Sequence, residues 1–160
     1  MSVPPATDDG QTPPGMLWRR FSGSMDRSEA LDRLASARVG RFASITPDGR
    51  PHVVVVTFAV VSDHLVHMID QKPKTTRRLQ RLQNVETLPL ASLLVDHYDE
   101  DWSELWWVRV DGEIEIEKDG DRWWEARSSL KEKYRQYRYA PPSGPAIFLS
   151  IDRVTHWESS

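Results

Sequence analysis

The chain has 160 residues, a formal net charge of −3 and no cysteine. That length suits one domain with a sizeable core, and the lack of thiols excludes disulfides, thiolate metal sites and a cysteine nucleophile. The acidic balance, pI ≈ 5.9, argues against a nucleic-acid partner, which would select a long basic face. No apolar run approaches the ~20 residues that span a bilayer, and no charged start followed by an apolar stretch marks a signal peptide. The expectation is a cytoplasmic protein with no membrane partner.

Residues 1–24 read as a flexible tail, with Pro4, Pro5, Pro13 and Pro14 in a Thr-, Asp- and Gly-rich stretch too polar to order itself. A single domain is expected over 25–160. Ser24 to Arg38 predicts an amphipathic helix capped by Asp26 or Ser28, with Ala30, Leu31 and Leu34 on one face. Val39 to Thr46 predicts a strand, and Pro47-Asp48-Gly49-Arg50 a tight hairpin turn. The next stretch, Pro51 to Val61, is apolar at odd and even positions alike. Strand side chains alternate faces, so both of its faces should be buried, the outer one by a helix, a cofactor or another subunit.

His64 to Asp70 predicts a third strand. It runs into Lys72-Pro73-Lys74-Thr75-Thr76-Arg77-Arg78, the start of a helix reaching about Asn84. Pro73 suits a first helical position. Cations crowded on the positive end of a helix dipole are unfavourable unless an anion sits there, most naturally a phosphate. The bland alternative is a solvated basic helix face.

Beyond Pro89, strands are expected at Ala91–Tyr98 and Trp106–Glu117. The second alternates, with Val108, Val110, Ile114 and Ile116 inward, and Gly112 marks a bulge or register shift. A helix from Asp121 to Tyr137 should present Trp123, Arg127, Leu130, Tyr134 and Tyr137 on one face. A proline-rich loop and a last strand, Ala146–Trp157, follow. This order predicts a mainly β (α+β) fold: a six-stranded antiparallel split β-barrel with flanking helices.

The acidic loop Asp96 to Trp102 matches neither a calcium loop nor a helical zinc motif, so no metal site is assigned. His52, His64 and His67 are expected on neighbouring strands, as structural residues or as rings lining a pocket. His67 matters most, because it precedes the basic turn. Trp102, Trp106 and Trp107 are expected to cluster, as core or as a stacking surface for a flat cofactor. No nucleophile or acid–base pair stands out. That fits an enzyme whose chemistry belongs to a cofactor, and equally a non-catalytic binder.

Val39-Gly40-Arg41-Phe42-Ala43-Ser44-Ile45, Asp48-Gly49-Arg50-Pro51-His52-Val53, Lys72-Pro73-Lys74-Thr75-Thr76-Arg77-Arg78-Leu79 and Ser92-Leu93-Leu94-Val95-Asp96-His97-Tyr98 together resemble the pyridoxamine 5′-phosphate oxidase-like split β-barrel superfamily. The likeness extends over about Asp26 to Trp157, and leans to an actinobacterial branch that uses the deazaflavin coenzyme F420. It implies an FMN-binding split-barrel fold and a homodimer with cofactor sites at the subunit interface. It also implies an F420-dependent oxidoreductase passing hydride to a small-molecule substrate, with FMN as the alternative cofactor or a non-catalytic flavin or deazaflavin binder as the alternative role. By this likeness Lys74 and Thr75 hold the cofactor phosphate, with Lys72 and Arg78 beside them. Val53, Val54, Val55, Val56, Met68 and Ile69 lie along the ring, and His67 and Trp102 complete the expected site. Some relatives carry a polar residue where Val55 stands.

Overall fold

The structure is a computed structural model describing residues 25–69 and 80–159. The elements are α1 (Arg27–Ser36), β1 (Gly40–Ile45), β2 (Pro51–Val56), β3 (Ala59–Val61), β4 (His64–Met68), α2 (Gln80–Thr87), β5 (Leu90–His97), β6 (Trp106–Glu117), α3 (Asp121–Lys133), α4 (Gln136–Tyr139), β7 (Ala146–Ser150) and β8 (Arg153–Glu158). A single turn of 3₁₀ helix, Trp102–Glu104, precedes β6.

The barrel has eight strands, not six, and its ladder does not close. The order is β2-β1-β5-β6-β7-β4-β3, with β8 also on β6. Both additional strands come from expected strands that break. Pro51–Val61 divides after Val56, so that β2 pairs with β1 and β3 with β4. Ala146–Trp157 divides after Ser150 into β7 and β8.

β6 serves two sheets. Trp106 to Glu113 pairs with β5, and its first six residues also pair with β8. From Ile114 onward it pairs with β7 instead. The change of partner falls at Gly112, where a Cβ would stand 2.0 Å from the Ser150 carbonyl oxygen. Only a residue without a side chain admits so close a backbone approach. The Ser150 hydroxyl accepts from the Glu113 N–H at 2.9 Å and donates to Asp152 at 2.8 Å, closing the corner.

Alternation along these strands builds two cores. Phe42, Leu93, Val95, Val108, Val110, Leu65, Ile147 and Leu149 fill the barrel interior. Val66, Met68, Ala59, Val61 and Phe148 face the other way and pack under Trp123, Ala126, Leu130 and Tyr134 on and just after α3. β4 and β7 are therefore covered on both faces, whereas among the described residues no helix covers the outer face of β2, where Val53 and Val55 are exposed.

The helix ends differ from expectation by one or a few residues. α1 begins at Arg27 because the Asp26 side chain accepts from the Glu29 N–H at 2.9 Å. α2 runs past Asn84 to Thr87. The helix expected to reach Tyr137 stops at Lys133, and Tyr134 turns extended.

Replacing Gly112 with Ala should cost about 1–3 kcal/mol, the usual range for overpacking. Urea denaturation of the two proteins would check this, and an unchanged midpoint would show that the corner can relax.

Candidate functional site

The stretch expected to be buried on both faces is not. Val54 packs on the barrel core and Val56 is buried within it, but Val53 is 60% and Val55 66% exposed. The register explains which neighbours share their face. Val55 lies opposite Arg41, Arg41 opposite Leu94, and Leu94 opposite Arg109. In the next row Val53 faces Ala43, Ala43 faces Ser92, and Ser92 faces Asp111. This outer face is apolar at β2 and polar toward β6. Its charges are mostly paired: Arg41 bonds Asp96, and Arg109 reaches Asp111 at 3.1 Å. Ser92 donates to Asp111 at 2.6 Å. The two valines thus form a bare apolar platform beside a self-neutralised polar field.

β4 precedes the basic stretch in sequence. His67 is 3% exposed, Met68 4% and Ile69 6%. His67 and Phe42 meet edge to face, ring centroids 5.0 Å apart, and Ile69 belongs to the interior core. Met68 lies beneath α3. These three side chains are committed to packing.

The end of β4 is braced by the proline-rich loop. Ile69 N–H donates to Pro145 O, and Gly144 N–H donates to Ile69 O, both at 3.0 Å. A Cβ at Gly144 would meet the Ile69 oxygen at 2.5 Å. From α3, Trp123 Nε1 donates to Gly144 O and Arg127 Nε to Pro142 O, each at 3.0 Å. After the basic stretch in sequence, α2 is tied to β1 by a buried pair in which Asn84 donates to the Ser44 hydroxyl at 3.0 Å. Lys72, Lys74, Thr75 and Arg78 lie outside the described residues, as does the tail 1–24. The elements that deliver the chain into and out of the basic stretch are rigidly held.

Other expected groupings separate. His52 lies on β2 and His64 and His67 on β4, and β2 and β4 are at opposite ends of the ladder, so the three are not on neighbouring strands. Even on β4, His64 and His67 point to opposite faces: His64 meets Phe148 and bonds Asp63, while His67 turns inward. Among the described residues Trp102 makes no ring contact with Trp106 or Trp107. It stands 69% exposed on the 3₁₀ turn. Trp106 stacks on His97 with the Arg33 guanidinium over its ring, and Trp107 lies opposite Trp157. Adjacent residues of one strand face opposite ways, which separates Trp106 from Trp107.

Several residues that shape this region carry no sequence signal of their own. The Tyr134 hydroxyl lies 2.7 Å from Phe58 O and 2.8 Å from Arg38 O, and accepts from Phe58 N–H at 3.0 Å. It joins the chain just before β1 to the break between β2 and β3, where the β1–β2 ladder has ended. Thr57 and Tyr137 share a hydroxyl–hydroxyl bond of 2.8 Å at the same break. Ser44 and Asn84 are likewise invisible until α2 docks on β1. A period-3.6 reading marks Tyr134 as a core face, not as a hydrogen-bonding hub.

Burial drives the His67 pKa down to about 3, with Arg81 adding to the effect, and its Nε2 has no hydrogen-bond partner among the described residues. The ring is therefore neutral in the folded protein at neutral pH. Unfolded, it would titrate near 6.5. Between those values the unfolded chain binds more protons, so stability is complete above about 6.5 and falls as pH drops toward 3. Replacing His67 with Leu should remove up to about 1.4 kcal/mol per pH unit of acid sensitivity in that window. Urea midpoints measured from pH 7 to 4 would test this, and parallel curves for the two proteins would contradict it.

Comparison with known proteins bears on what this scaffold is. No curated protein matches the chain. Among solved structures, a conserved hypothetical protein of Mycobacterium tuberculosis has a TM-score of 0.70 at 22% identity, covering 84% of this chain and 85% of its own. A FAD-binding protein of Mesorhizobium loti has a TM-score of 0.65 at 22% identity, covering 85% and 95%. The haem storage protein HutZ of Vibrio cholerae has a TM-score of 0.64 at 14% identity, covering 84% and 96%. At those identities the likeness is one of fold. The family described as pyridoxamine 5′-phosphate oxidase matches residues 27–158. That span includes every strand of the barrel, and the chain belongs to the pyridoxamine 5′-phosphate oxidase family.

Proposed function

We propose that this protein is an oxidoreductase that holds coenzyme F420 at the interface of a homodimer and uses it to reduce or oxidise a small organic substrate. The observation that carries this reading is the bare valine pair, Val53 at 60% and Val55 at 66% exposure, in a strand whose other face is core. Fully burying a valine is worth about 1.5–3 kcal/mol. A flat ring laid on β2, with a second copy of the chain closing over it, would remove both side chains from water. The residues present fit such a ring: the platform is apolar and uncharged, and the adjoining charges are paired with one another.

In this reading Val53 and Val55 hold one face of the ring, and Val54 and Val56 anchor their strand to the core. The end of β4, His67 to Ile69, is assigned to its border, and the exposed indole of Trp102 is available for stacking. Lys72, Lys74, Thr75 and Arg78, which follow β4 in sequence, are assigned to the phosphate, where charge-assisted hydrogen bonds are strongest. The bound group supplies hydride-transfer chemistry. The chain's own part is to orient that group, exclude water from it and neutralise its phosphate. FMN is the second reading for the same platform, favoured by the FAD-binding relative of this fold.

Titrating the purified protein with F420 and, separately, with FMN should show binding of F420. A yellow preparation with flavin fluorescence would move the assignment to FMN, and affinity for neither would sink the reading. Lys74→Ala should weaken binding by about 1.5–3 kcal/mol, the range for hydrogen bonds to charged groups. Val55→Asp should yield monomers in sedimentation equilibrium, because it sets a charge in the proposed interface. A dimer that survives this change would place the interface elsewhere.

A further inference from the structure

The outer face of the Pro51–Val61 stretch changes character at Thr57. Before it stand the bare Val53 and Val55. After it, Ala59 and Val61 are covered by α3, at 3% and 7% exposure. Phe58 stays in the barrel interior, so alternation continues through the break and Thr57 belongs to the same outer face. Thr57 follows Val55 by two residues, a strand distance of about 6.6 Å. At this boundary, where α3 gives way to α4, lies a crevice of ≈ 330 Å³ lined by Arg38, Val39, Thr57, Tyr134, Gln136 and Tyr137.

The chemistry of this crevice is one-sided. None of its lining residues is acidic. The Arg38 guanidinium has no carboxylate partner among the described residues. It donates to the Lys133 carbonyl at 2.8 Å and rests 4.6 Å over the Tyr134 ring, and these two contacts hold it in place. Behind the crevice the Lys133 ammonium sits 4.3 Å from the Phe58 ring centroid, its Nζ without a hydrogen-bond partner among the described residues. Burial, with Arg38 adding to it, lowers the Lys133 pKa to about 8. Two cations with no counter-ion among the described residues, two tyrosine rings and the Thr57–Tyr137 hydroxyl pair make a compartment for a flat apolar body ending in an anion.

We propose that this crevice binds a small organic carboxylate, with Arg38 and the Thr57–Tyr137 hydroxyls receiving the carboxylate and Tyr134, Tyr137 and Val39 flanking the apolar part. Binding itself stands on the crevice alone. That the ligand is the substrate of the proposed reaction rests on reading the Val53–Val55 platform as the ring's seat, because Thr57, which lines the crevice, follows Val55 by two residues on the same face.

The test uses benzoate and its neutral counterpart benzamide, titrated into cofactor-free protein and followed by amide chemical shifts and calorimetry. Benzoate should shift the Thr57 and Tyr137 signals and bind at least tenfold more tightly than benzamide. Arg38→Gln should weaken benzoate at least tenfold with an unchanged melting temperature, and Tyr137→Phe should weaken it less, because the ring remains. Equal affinity for benzoate and benzamide, shifts confined to other regions, or undiminished affinity in a folded Arg38→Gln protein would overturn the proposal. Should Arg38→Gln fail to fold, the comparison of the two probes on the unaltered protein decides. F420 titration of the same samples is a separate readout. Failure of benzoate with F420 binding intact overturns the crevice alone, and tight benzoate binding supports it whichever cofactor is bound.

Discussion

One strand passing between two sheets is the constraint on which this molecule depends. β6 pairs with β5 and β8 along its first half and with β7 along its second. The exchange is possible because Gly112 lets the Ser150 backbone approach within what would be a side chain's space. From that corner the interior core acquires walls from both sheets, with Val108 and Val110 on one side of it and Ile114 on the other. The break between β2 and β3 is the counterpart at the other end of the ladder. There the backbone leaves β1 for β4, and the Tyr134 hydroxyl bonds both the Arg38 carbonyl and the Phe58 backbone where no ladder continues.

Coverage then follows from the number of helices. α3 packs on the sheet of β3, β4 and β7 and takes Met68, Val66 and Phe148 out of water. Among the described residues no comparable helix lies on the outer face of β2. The same face of one continuous stretch is therefore dry at Ala59 and Val61 and wet at Val53 and Val55. The proposed ring platform and the Arg38 crevice both arise at this discontinuity: one is the uncovered half, the other the seam where cover begins. Gly144, Trp123 and Arg127 brace the Ile69 end, and Asn84 and Ser44 tie α2 to β1, on either side of the basic stretch in sequence.

Much of the fold was legible in the residues. The alternation of Val108, Val110 and Ile114, the Pro47–Arg50 turn and the Asp26 cap are local patterns with local causes, and each appears where expected. The apolar platform was legible as an anomaly, a strand with no polar face. Its consequence was misjudged, since the outer face is buried only in the β3 half, at Ala59 and Val61, and Val60 on the other face is itself exposed. The triad of histidines and the cluster of tryptophans were grouped by nearness in sequence. The ladder separates His52 from His67, and strand alternation separates Trp106 from Trp107.

What the sequence determined by itself is whatever depends on spacing: element types, the inward face of each strand, the cap, the turn, the local pile of cations after β4, and family membership through motifs distributed along the chain. What only the tertiary structure decided is which strands exchange partners, which face each helix covers, and which polar groups meet from distant segments. Arg38 and Lys133 are 95 residues apart, Ser44 and Asn84 are 40 apart, and no periodicity relates such pairs. They meet because backbone at Gly112 and Thr57 changes sheet, and the energy that decides such a change is spread over the two cores that result.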